Sequence, residues 1–188
     1  MQVLPIIFLL TKRLELLILG RTTKRFDFFI VMKKVLFVCL GNICRSPLAE
    51  EIFKDKIKKL GLEDKFLIES CGTETFHNGE MADYRSRQVA IENGIQLNTV
   101  ARCIVPNDFQ KFDIIIAMDR LIYEEMKPFC PLIQLMDKVH MMREFDPTGK
   151  TTQRVPDPFY GTIEDFRKVY RMLDRCADGL VHYLTTQD

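Results

Sequence analysis

Apolar residues recur along this chain in short runs that alternate with longer stretches of helical spacing. Residues 35–38 form a continuous apolar run typical of a buried strand, and residues 46–60 follow with helical spacing up to Gly61. A short extended segment is expected at residues 101–105. Further strands are predicted at residues 66–69, 113–118 and 132–135, and further helices at residues 83–93, 121–126 and 163–184.

Strands that alternate with helices favour a parallel sheet whose two faces are both covered. We therefore predict an α/β fold, a three-layer sandwich with a four-stranded parallel sheet of the flavodoxin-like, Rossmannoid type. Residues 32–188 would form this single domain. Ligands of such folds bind outside the carboxyl ends of the strands. Cys39 and Asp119 directly follow two of the predicted strands and are therefore candidates for a site.

Residues 1–31 do not fit the alternating pattern. Their two apolar runs, 3–10 and 14–20, are shorter than the ~18–20 residues that a membrane span requires. The basic residues follow the first run and no small-residue cleavage site is clear, so we expect no signal peptide. We interpret the segment as an N-terminal extension upstream of a natural start at Met32. An amphipathic membrane-surface segment and a disordered tail are the alternatives.

The loop at residues 39–46, Cys-Leu-Gly-Asn-Ile-Cys-Arg-Ser, joins the first strand to the first helix. Such a junction directs backbone N–H groups and the positive end of a helix at one point, so an anion is expected there. The same groups stabilise a thiolate, which makes Cys39 a candidate nucleophile. Arg45 offers a planar fork that can hold two oxygens of a phosphate. Together they fit phosphoryl transfer to sulfur.

Four further residues in or near this loop have possible roles at the site. Gly41 lets the backbone approach a phosphate closely, and Asn42 tolerates a left-handed turn and can bond neighbouring loop groups. The Ser46 hydroxyl could donate to the thiolate, cap the helix, or do both. Asp119 could brace Arg45 from behind or only cap the next helix.

The motif C-x5-R-S after a buried strand, with the wording VCLGNICRSP, resembles the low-molecular-weight protein tyrosine phosphatases. The segment Asp157-Pro158-Phe159-Tyr160 resembles that family's Asp-Pro-aromatic loop, and the resemblance extends from about residue 33 to the C-terminus. It implies a phosphotyrosine protein phosphatase that forms a cysteinyl-phosphate on Cys39. Arg45 would hold the phosphoryl oxygens, and Asp157 would act as general acid and then as base.

The resemblance also assigns expected roles to residues around the nucleophile. Ser70 and Asp119 would be supporting residues. Phe76 would either bind the substrate or be an ordinary core residue. Cys44 would either form a reversible disulfide with Cys39 or face the core. Thr99 stands where the family often has a histidine in a hydrogen-bond network. The phosphate-binding and substrate-binding residues would be Leu40, Gly41, Asn42, Ile43, Cys44, Ser46, Phe76, Phe159 and Tyr160.

Three other functions are consistent with parts of the sequence. A protein arginine phosphatase resembles C-x-G-N-T-C-R, whereas this chain has Ile43 at the threonine position. An arsenate reductase would need two further redox cysteines close together, and Cys103 has none in the twenty residues that follow it. A non-catalytic phosphopeptide-binding module would be expected to lose Cys39 or Asp157, and both are present.

The resemblance implies phosphotyrosine-containing proteins or small aryl phosphates as partners, and composition argues against several others. The chain has 188 residues, 47% hydrophobic, and a net charge of +1. Residues 1–31 carry five basic and two acidic side chains, +3, which leaves −2 for the remainder and gives no case for nucleic acid. Six cysteines without a C-x2-C pair predict no zinc site. We expect no cofactor and no metal, no membrane association and, because the nucleophile is a thiol, a cytoplasmic location.

Overall fold

A computed structural model describes residues 32–149 and 154–186 of the chain. The predicted N-terminal extension, residues 1–31, lies outside the described residues. The strands are β1 (Lys33–Cys39), β2 (Phe66–Gly72), β3 (Ile114–Ala117) and β4 (Val139–Met141). The α-helices are α1 (Arg45–Lys59), α2 (Tyr84–Glu92), α3 (Asp108–Lys111), α4 (Arg120–Met126) and α5 (Ile163–Thr186). Short 3-10 helices span Glu63–Lys65, Lys127–Phe129, Ile133–Lys138 and Met142–Phe145.

The four strands form one parallel sheet in the order β2-β1-β3-β4. Val35 of the central strand β1 pairs with Ile68 on one side and with Ile114 on the other, and Ile115 pairs with Val139 at the far edge. The predicted α/β fold with a four-stranded parallel sheet is therefore confirmed.

Strand β1 reads as a continuous apolar run because both of its faces are covered. Val35 and Phe37 pack into one hydrophobic cluster, which includes buried residues of α1, α2 and α5. Leu36 and Val38 point to the other face, where residues of α3 and α4 form a second cluster. Side chains on a strand alternate between faces, so a strand buried on both sides needs apolar residues at every position. The two clusters are the two interfaces of a three-layer sandwich.

The long helices begin and end close to where the sequence predicts. Helix α1 ends at Lys59, and Gly61 follows it with φ of +66° and donates its N–H to the Lys58 carbonyl. Helix α2 begins after Asp83, whose carboxylate accepts from the Arg85 N–H as an N-cap. Glycine adopts the left-handed conformation without a steric penalty, which explains why it follows the end of α1.

The predicted strand at residues 132–135 is wrong. Ile133–Lys138 is a 3-10 helix, and the fourth strand is Val139–Met141. Leu132 and Ile133 are more than half exposed, whereas Met136 is buried, so the apolar run does not fill a sheet position. Strand β4 lies at the edge of the sheet and has three residues, of which Val139 alone is buried, and this is too little apolar sequence to mark a strand.

The parallel arrangement brings the ends of the strands to one edge. Cys39 and Gly72 are the last residues of β1 and β2, and Asp119 lies two residues after β3. Over residues 32–149 and 154–186, no helix combines the length and the apolar character needed to cross a membrane.

Candidate active site

The segment between β1 and α1 forms a tight loop at the carboxyl edge of the sheet. Asn42 has φ of +54° and, within the described part of the chain, is the one non-glycine residue with positive φ. Gly72 at the end of β2 lies directly beneath the loop, where a Cβ atom would be 2.5 Å from the Leu40 carbonyl oxygen. At Gly41 a Cβ atom would be 2.9 Å from Cδ2 of His77. Gly72 therefore permits a contact with the loop backbone that a side chain would prevent, whereas the neighbour of Gly41 is a side chain.

The Asn42 side chain holds its left-handed backbone through three hydrogen bonds. Its Nδ2 donates to Ser46 Oγ and to Ser70 Oγ, each at 2.9 Å. Its Oδ1 accepts from the backbone N–H of Arg102 at 3.0 Å. Asn42 is 1% exposed, so these bonds replace water entirely. A buried amide with all its main partners satisfied fixes the loop in one conformation.

Cys39 lies at the base of this loop and is almost fully buried. Ser46 Oγ lies 3.0 Å from Cys39 Sγ and 3.1 Å from the Cys71 carbonyl oxygen, and its single proton can be donated to either of them. The N-cap of α1 is Cys44, without a side-chain hydrogen bond, so Ser46 is not the cap that one interpretation of the sequence proposed. Its hydroxyl faces the sulfur instead.

Arg45 is held between two carboxylates. Its Nη1 is 2.6 Å from Asp119 Oδ2, and its Nη2 is 2.5 Å from Asp157 Oδ2. Burial lowers the pKa of Arg45, but the negative charges of Cys39, Asp157 and Asp119 outweigh it, so the pKa lies above its ordinary value. Among the described residues, the buried Arg45 Nε has no hydrogen-bond partner. That donor is therefore available to an anion.

Asp119 serves both of the roles that the sequence left open. One oxygen, Oδ2, accepts from Arg45, while Oδ1 accepts from the backbone N–H of Ile122 at 2.9 Å and caps α4. Since the cap fixes the carboxylate, the guanidinium behind the loop has a defined position.

Asp157 reaches the same site from the segment that precedes α5. Its Oδ1 accepts from the Phe159 N–H at 3.1 Å, and its Oδ2 pairs with Arg45. The Asp157 side chain is 40% exposed, in contrast to Arg45 at 4%. The segment is anchored nearby, because Val155 donates to the Met118 carbonyl at 2.8 Å. Asp157 is thus a partly accessible carboxylate at the mouth of a buried site.

These groups open onto a pocket of 220 Å³ whose walls include several aromatic rings. Phe76 is 77% exposed, so the alternative of a core residue is wrong for it, and Tyr160 is 98% exposed. The Phe159 and Tyr160 rings meet edge to face, with centroids 5.0 Å apart. The pocket is lined by Cys39, Leu40, Gly41, Ile43, Cys44, Arg45, Phe76, His77, Asp157, Phe159 and Tyr160.

Cys44 lies in surroundings that disfavour ionisation of its thiol. Burial, together with the negative charges of Asp83 and Cys39, raises the pKa of the Cys44 thiol far above its ordinary value. Cys44 is therefore a neutral thiol near neutral pH. Both cysteines are free thiols in the structure.

Two residues of this region, His77 and Glu50, were not among the site residues predicted from the sequence. His77 follows Phe76 in the loop, and its Nδ1 lies 2.8 Å from Glu80 Oε2. Glu50 in α1 is 5% exposed, and its Oε2 accepts from Ser70 Oγ at 2.5 Å. Glu50 lies on the same helical stripe as Ser46 and Phe53, and that spacing was the available signal for its burial. Residues 32–149 and 154–186 contain no cluster of three or more side chains suited to hold a metal ion.

The chain is similar to known proteins over most of its length. A family model described as low molecular weight phosphotyrosine protein phosphatase matches residues 34–188. A phosphatase of that name from Gallus gallus is 37% identical over 151 residues, which cover 80% of this chain and 94% of the relative. One from Schizosaccharomyces pombe is 40% identical over 141 residues, 74% of this chain and 89% of the relative.

Solved structures of phosphatases are similar to this chain as well. A protein tyrosine phosphatase from Entamoeba histolytica, with Hepes in its active site, has a TM-score of 0.78 and 41% identity. The alignment covers 81% of this chain and 97% of that one. A mutant of the arginine phosphatase YwlE with a phosphorylated active site serine has a TM-score of 0.73 and 26% identity, and the alignment covers 82% and 97% of the two chains.

Proposed function

Because the chain belongs to the low molecular weight phosphotyrosine protein phosphatase family and is an enzyme of that hydrolase class, we propose that it hydrolyses phosphotyrosine and other aryl phosphate monoesters through a cysteinyl-phosphate. We assign the activity to a single domain over residues 32–188. The observation that carries the proposal is the meeting of Cys39, Arg45 and Asp157 in one aromatic pocket.

Cys39 is the proposed nucleophile. Its thiolate attacks phosphorus in line with the leaving oxygen, so an S–P bond forms as the P–O bond breaks. The Ser46 hydroxyl at 3.0 Å and the positive charge of Arg45 favour the thiolate. Arg45 Nε and the N–H groups of the loop hold the phosphoryl oxygens, which carry the charge of the transition state.

Asp157 is the proposed proton donor to the leaving phenolate. Its ion pair with Arg45 exchanges when a phosphoryl group binds, because the incoming oxygens compete for the same guanidinium. The dianionic phosphate beside the carboxylate then favours the protonated acid. Proton transfer to the phenolate leaves Asp157 ionised. In the second step the carboxylate takes a proton from water as that water attacks phosphorus, and Cys39 leaves as the thiolate.

The aromatic walls favour an aryl phosphate as substrate. Phe76, Phe159 and Tyr160 surround the entrance, and Ile43 adds an apolar surface at the loop. A phenyl ring between such walls buries apolar surface that a short phosphoserine cannot reach. Phosphotyrosine proteins and small aryl phosphates are therefore the proposed substrates.

The three other functions receive less support. An arginine phosphatase shares this fold, but Ile43 provides no hydroxyl for water that attacks a phosphoguanidinium. Arsenate reduction needs two further redox cysteines, while Cys71 is fully buried and Cys103 is half-buried. A phosphopeptide-binding module gains nothing from the Cys39 thiol or the Asp157 carboxylate.

One comparison of the purified protein tests this proposal. Phosphotyrosine, phosphoarginine and arsenate with thiol reductant are offered as alternative substrates. We expect hydrolysis of phosphotyrosine to dominate, and chelator to leave its rate unchanged, since Arg45 and N–H groups neutralise the phosphate. Faster turnover of phosphoarginine or arsenate would contradict the substrate assignment. A rate that collapses with chelator and returns with magnesium or zinc would contradict the metal-free mechanism.

A further inference from the structure

The segment that carries Asp157 is held on both sides of that residue. Before it, Val155 donates its N–H to the carbonyl of Met118, directly after strand β3, at 2.8 Å. After it, the Gly161 carbonyl accepts from Nη1 of Arg85, a residue in the first turn of α2, at 2.9 Å. One anchor of the segment therefore lies at the end of a strand, and the other lies on a helix.

The second anchor acts on the turn that follows Asp157. The N–H of Gly161 donates to the Pro158 carbonyl at 2.8 Å and closes a turn over residues 158–161. Within this turn, the Phe159 N–H donates to Asp157 Oδ1 at 3.1 Å. The Gly161 carbonyl and the Asp157 carboxylate thus belong to one small hydrogen-bonded unit, so a bond that holds the first also restrains the second.

Arg85 is itself fixed by an ion pair and by aromatic rings. Its Nε lies 3.0 Å from Asp83 Oδ1 and its Nη2 lies 2.7 Å from Asp83 Oδ2, the paired geometry that guanidinium and carboxylate favour. Its Cζ lies 4.4 Å from the centroid of the buried Phe166 ring in α5 and 5.9 Å from that of Phe159. The guanidinium, with all three nitrogens bonded, therefore offers Gly161 a donor of defined position.

The carboxylate that holds Arg85 is also joined to the loop at residues 39–46. The backbone N–H of Asp83 donates to the Ile43 carbonyl at 2.8 Å. Burial raises the pKa of Asp83, but hydrogen bonds from Arg85 and its charge outweigh burial and lower the pKa overall, so the pair stays ionised near neutral pH. A continuous set of bonds thus runs from Ile43 through Asp83 and Arg85 to Gly161.

We infer that Arg85 is a positioning residue for the general acid. It keeps the turn after Asp157 at a fixed place relative to the loop, so that the carboxylate reaches the leaving oxygen once it has left Arg45. This inference rests on the proposed function, in which Asp157 protonates the leaving phenolate. Arg85 acts through Gly161 and not on the reacting atoms. A displacement of about 1 Å can lower a rate about 100-fold, so the loss of one anchor is measurable.

The test compares two leaving groups in the single-turnover step that phosphorylates the enzyme. Arg85→Met keeps an apolar stem over the ring in α5 but removes every donor, so we expect the rate with phenyl phosphate to fall roughly 10- to 100-fold. A highly activated aryl phosphate leaves without a proton donor, and its rate should fall by less than about 3-fold. Arg167→Met is the matched control, because Arg167 also joins α5 to α2 but has Glu92 and Glu164 as its partners. Both of its rates should match the wild type.

A double variant and a direct probe of the turn separate this role from general destabilisation. In the Asp157→Asn background, Arg85→Met should slow phenyl phosphate no further, because the group that it positions is already absent. Hydrogen exchange measured on peptides should become faster over residues 157–162 in Arg85→Met. Exchange over the same residues should stay unchanged in Arg167→Met.

Arg85→Lys covers the case in which Arg85→Met does not fold. Lysine keeps the charge beside Asp83, but its single nitrogen cannot bind Asp83 and Gly161 with the geometry of the guanidinium fork, so it should show the same selective loss with phenyl phosphate. Equal losses for the two substrates, a further loss in the Asp157→Asn background, or unchanged exchange over residues 157–162 would overturn the inference. If the wild type hydrolyses neither substrate but exchange still rises in the Arg85 variant, the proposed function fails and the anchoring of the turn stands.

Discussion

Arg45 Nη2 and Asp157 Oδ2 lie 2.5 Å apart, so the proposed phosphate holder and the proposed acid form an ion pair with each other. In the proposed mechanism, a phosphoryl group takes the place of Asp157 at the guanidinium before the acid faces the leaving oxygen. The Asp157 side chain is partly exposed and Arg45 is not, so the carboxylate is the partner that can move. In the proposed mechanism, substrate binding therefore releases Asp157 from Arg45, and the released Asp157 can then donate its proton to the leaving oxygen.

Replacing Asp157 should slow poor leaving groups much more than good ones. A phenolate of high pKa must be protonated as it departs, and general acid catalysis typically contributes ~10²–10⁴-fold. Asp157→Asn should therefore slow the first step strongly with phenyl phosphate and much less with a highly activated aryl phosphate. It should also flatten the limb of kcat/KM that falls as pH rises, because that limb reports loss of the donor's proton.

Single-turnover kinetics measure that first step, since in the proposed mechanism hydrolysis of the cysteinyl-phosphate also uses Asp157 and can limit kcat. Equal losses for the two substrates would show that Asp157 is structural. The acid would then be sought elsewhere, with Asp119 as the next candidate.

Substitutions at Asp119 should separate its two contacts. Asp119→Asn keeps a good N-cap for α4 but removes the charge that faces Arg45, so we expect near-normal stability and a kcat/KM lower by roughly 10- to 100-fold. Asp119→Ala removes the cap as well and should cost about a further 1 kcal/mol in unfolding free energy. Chemical denaturation and steady-state kinetics measure the two effects. A fully active Asp119→Asn would mean that the brace has no role in catalysis.

Ile43 is the residue that we expect to disfavour phosphoarginine. Ile43→Thr supplies a hydroxyl at the pocket wall and removes apolar surface beside the ring of the substrate. The ratio of phosphoarginine to phosphotyrosine hydrolysis, in kcat/KM, should rise. Ile43→Val, whose side chain has nearly the shape and volume of threonine but no hydroxyl, controls for lost volume and should leave the ratio near its original value. If the ratio stays unchanged in Ile43→Thr, specificity is set elsewhere, with Phe76 and Tyr160 the next residues to test.

Acid stability should depend on Asp146, which lies at the start of the segment that leads to Asp157. The Arg175 guanidinium, followed by Thr148 and Arg143, holds the pKa of Asp146 well below its usual range. A lowered pKa means that this stabilisation is complete above the unfolded value of ~3.9 and is lost as pH falls through the folded value.

The unfolding free energies of wild type and Asp146→Asn should therefore differ most at neutral pH and converge below about pH 4. Arg175→Gln should remove most of the same pH-dependent difference. Urea denaturation at a series of pH values measures it. A gap that stays constant down to pH 2 would show that the stabilisation does not come from the charge of Asp146.

The sequence was sufficient for the parts of the fold that depend on local pattern. Strand β1 and helix α5 were predicted to within a few residues. Burial on both faces gives β1 a continuous apolar run, and α5 carries a long apolar stripe with the period of a helix. Strand β4 was not, since an edge strand of three residues carries too little apolar sequence. Its position is set by pairing with β3, which only the folded chain shows.

The residues of the candidate site also differ in whether a local sequence pattern predicts them. Cys39 and Arg45 lie in one short motif, so the sequence placed them together. Asp157 was found only through a resemblance, because nothing local ties it to a loop more than a hundred residues earlier. Glu50 was missed because a charged residue in a helix is normally expected on the solvent face, and its burial depends on Ser70 and Lys54.

The most direct test of the central claim is to trap the phosphorylated enzyme. Asp157→Asn lacks the base for the second step, so a ³²P-labelled activated aryl phosphate should leave label on the protein after rapid quench. We expect close to one phosphate per molecule, attached to the peptide that contains Cys39, and none in Asp157→Asn combined with Cys39→Ala, which leaves no nucleophilic atom at that position. Cys130→Ser, combined with Asp157→Asn, controls for loss of a thiol and should still be labelled. Label on another residue, or product released with no labelled protein at any time, would contradict the account.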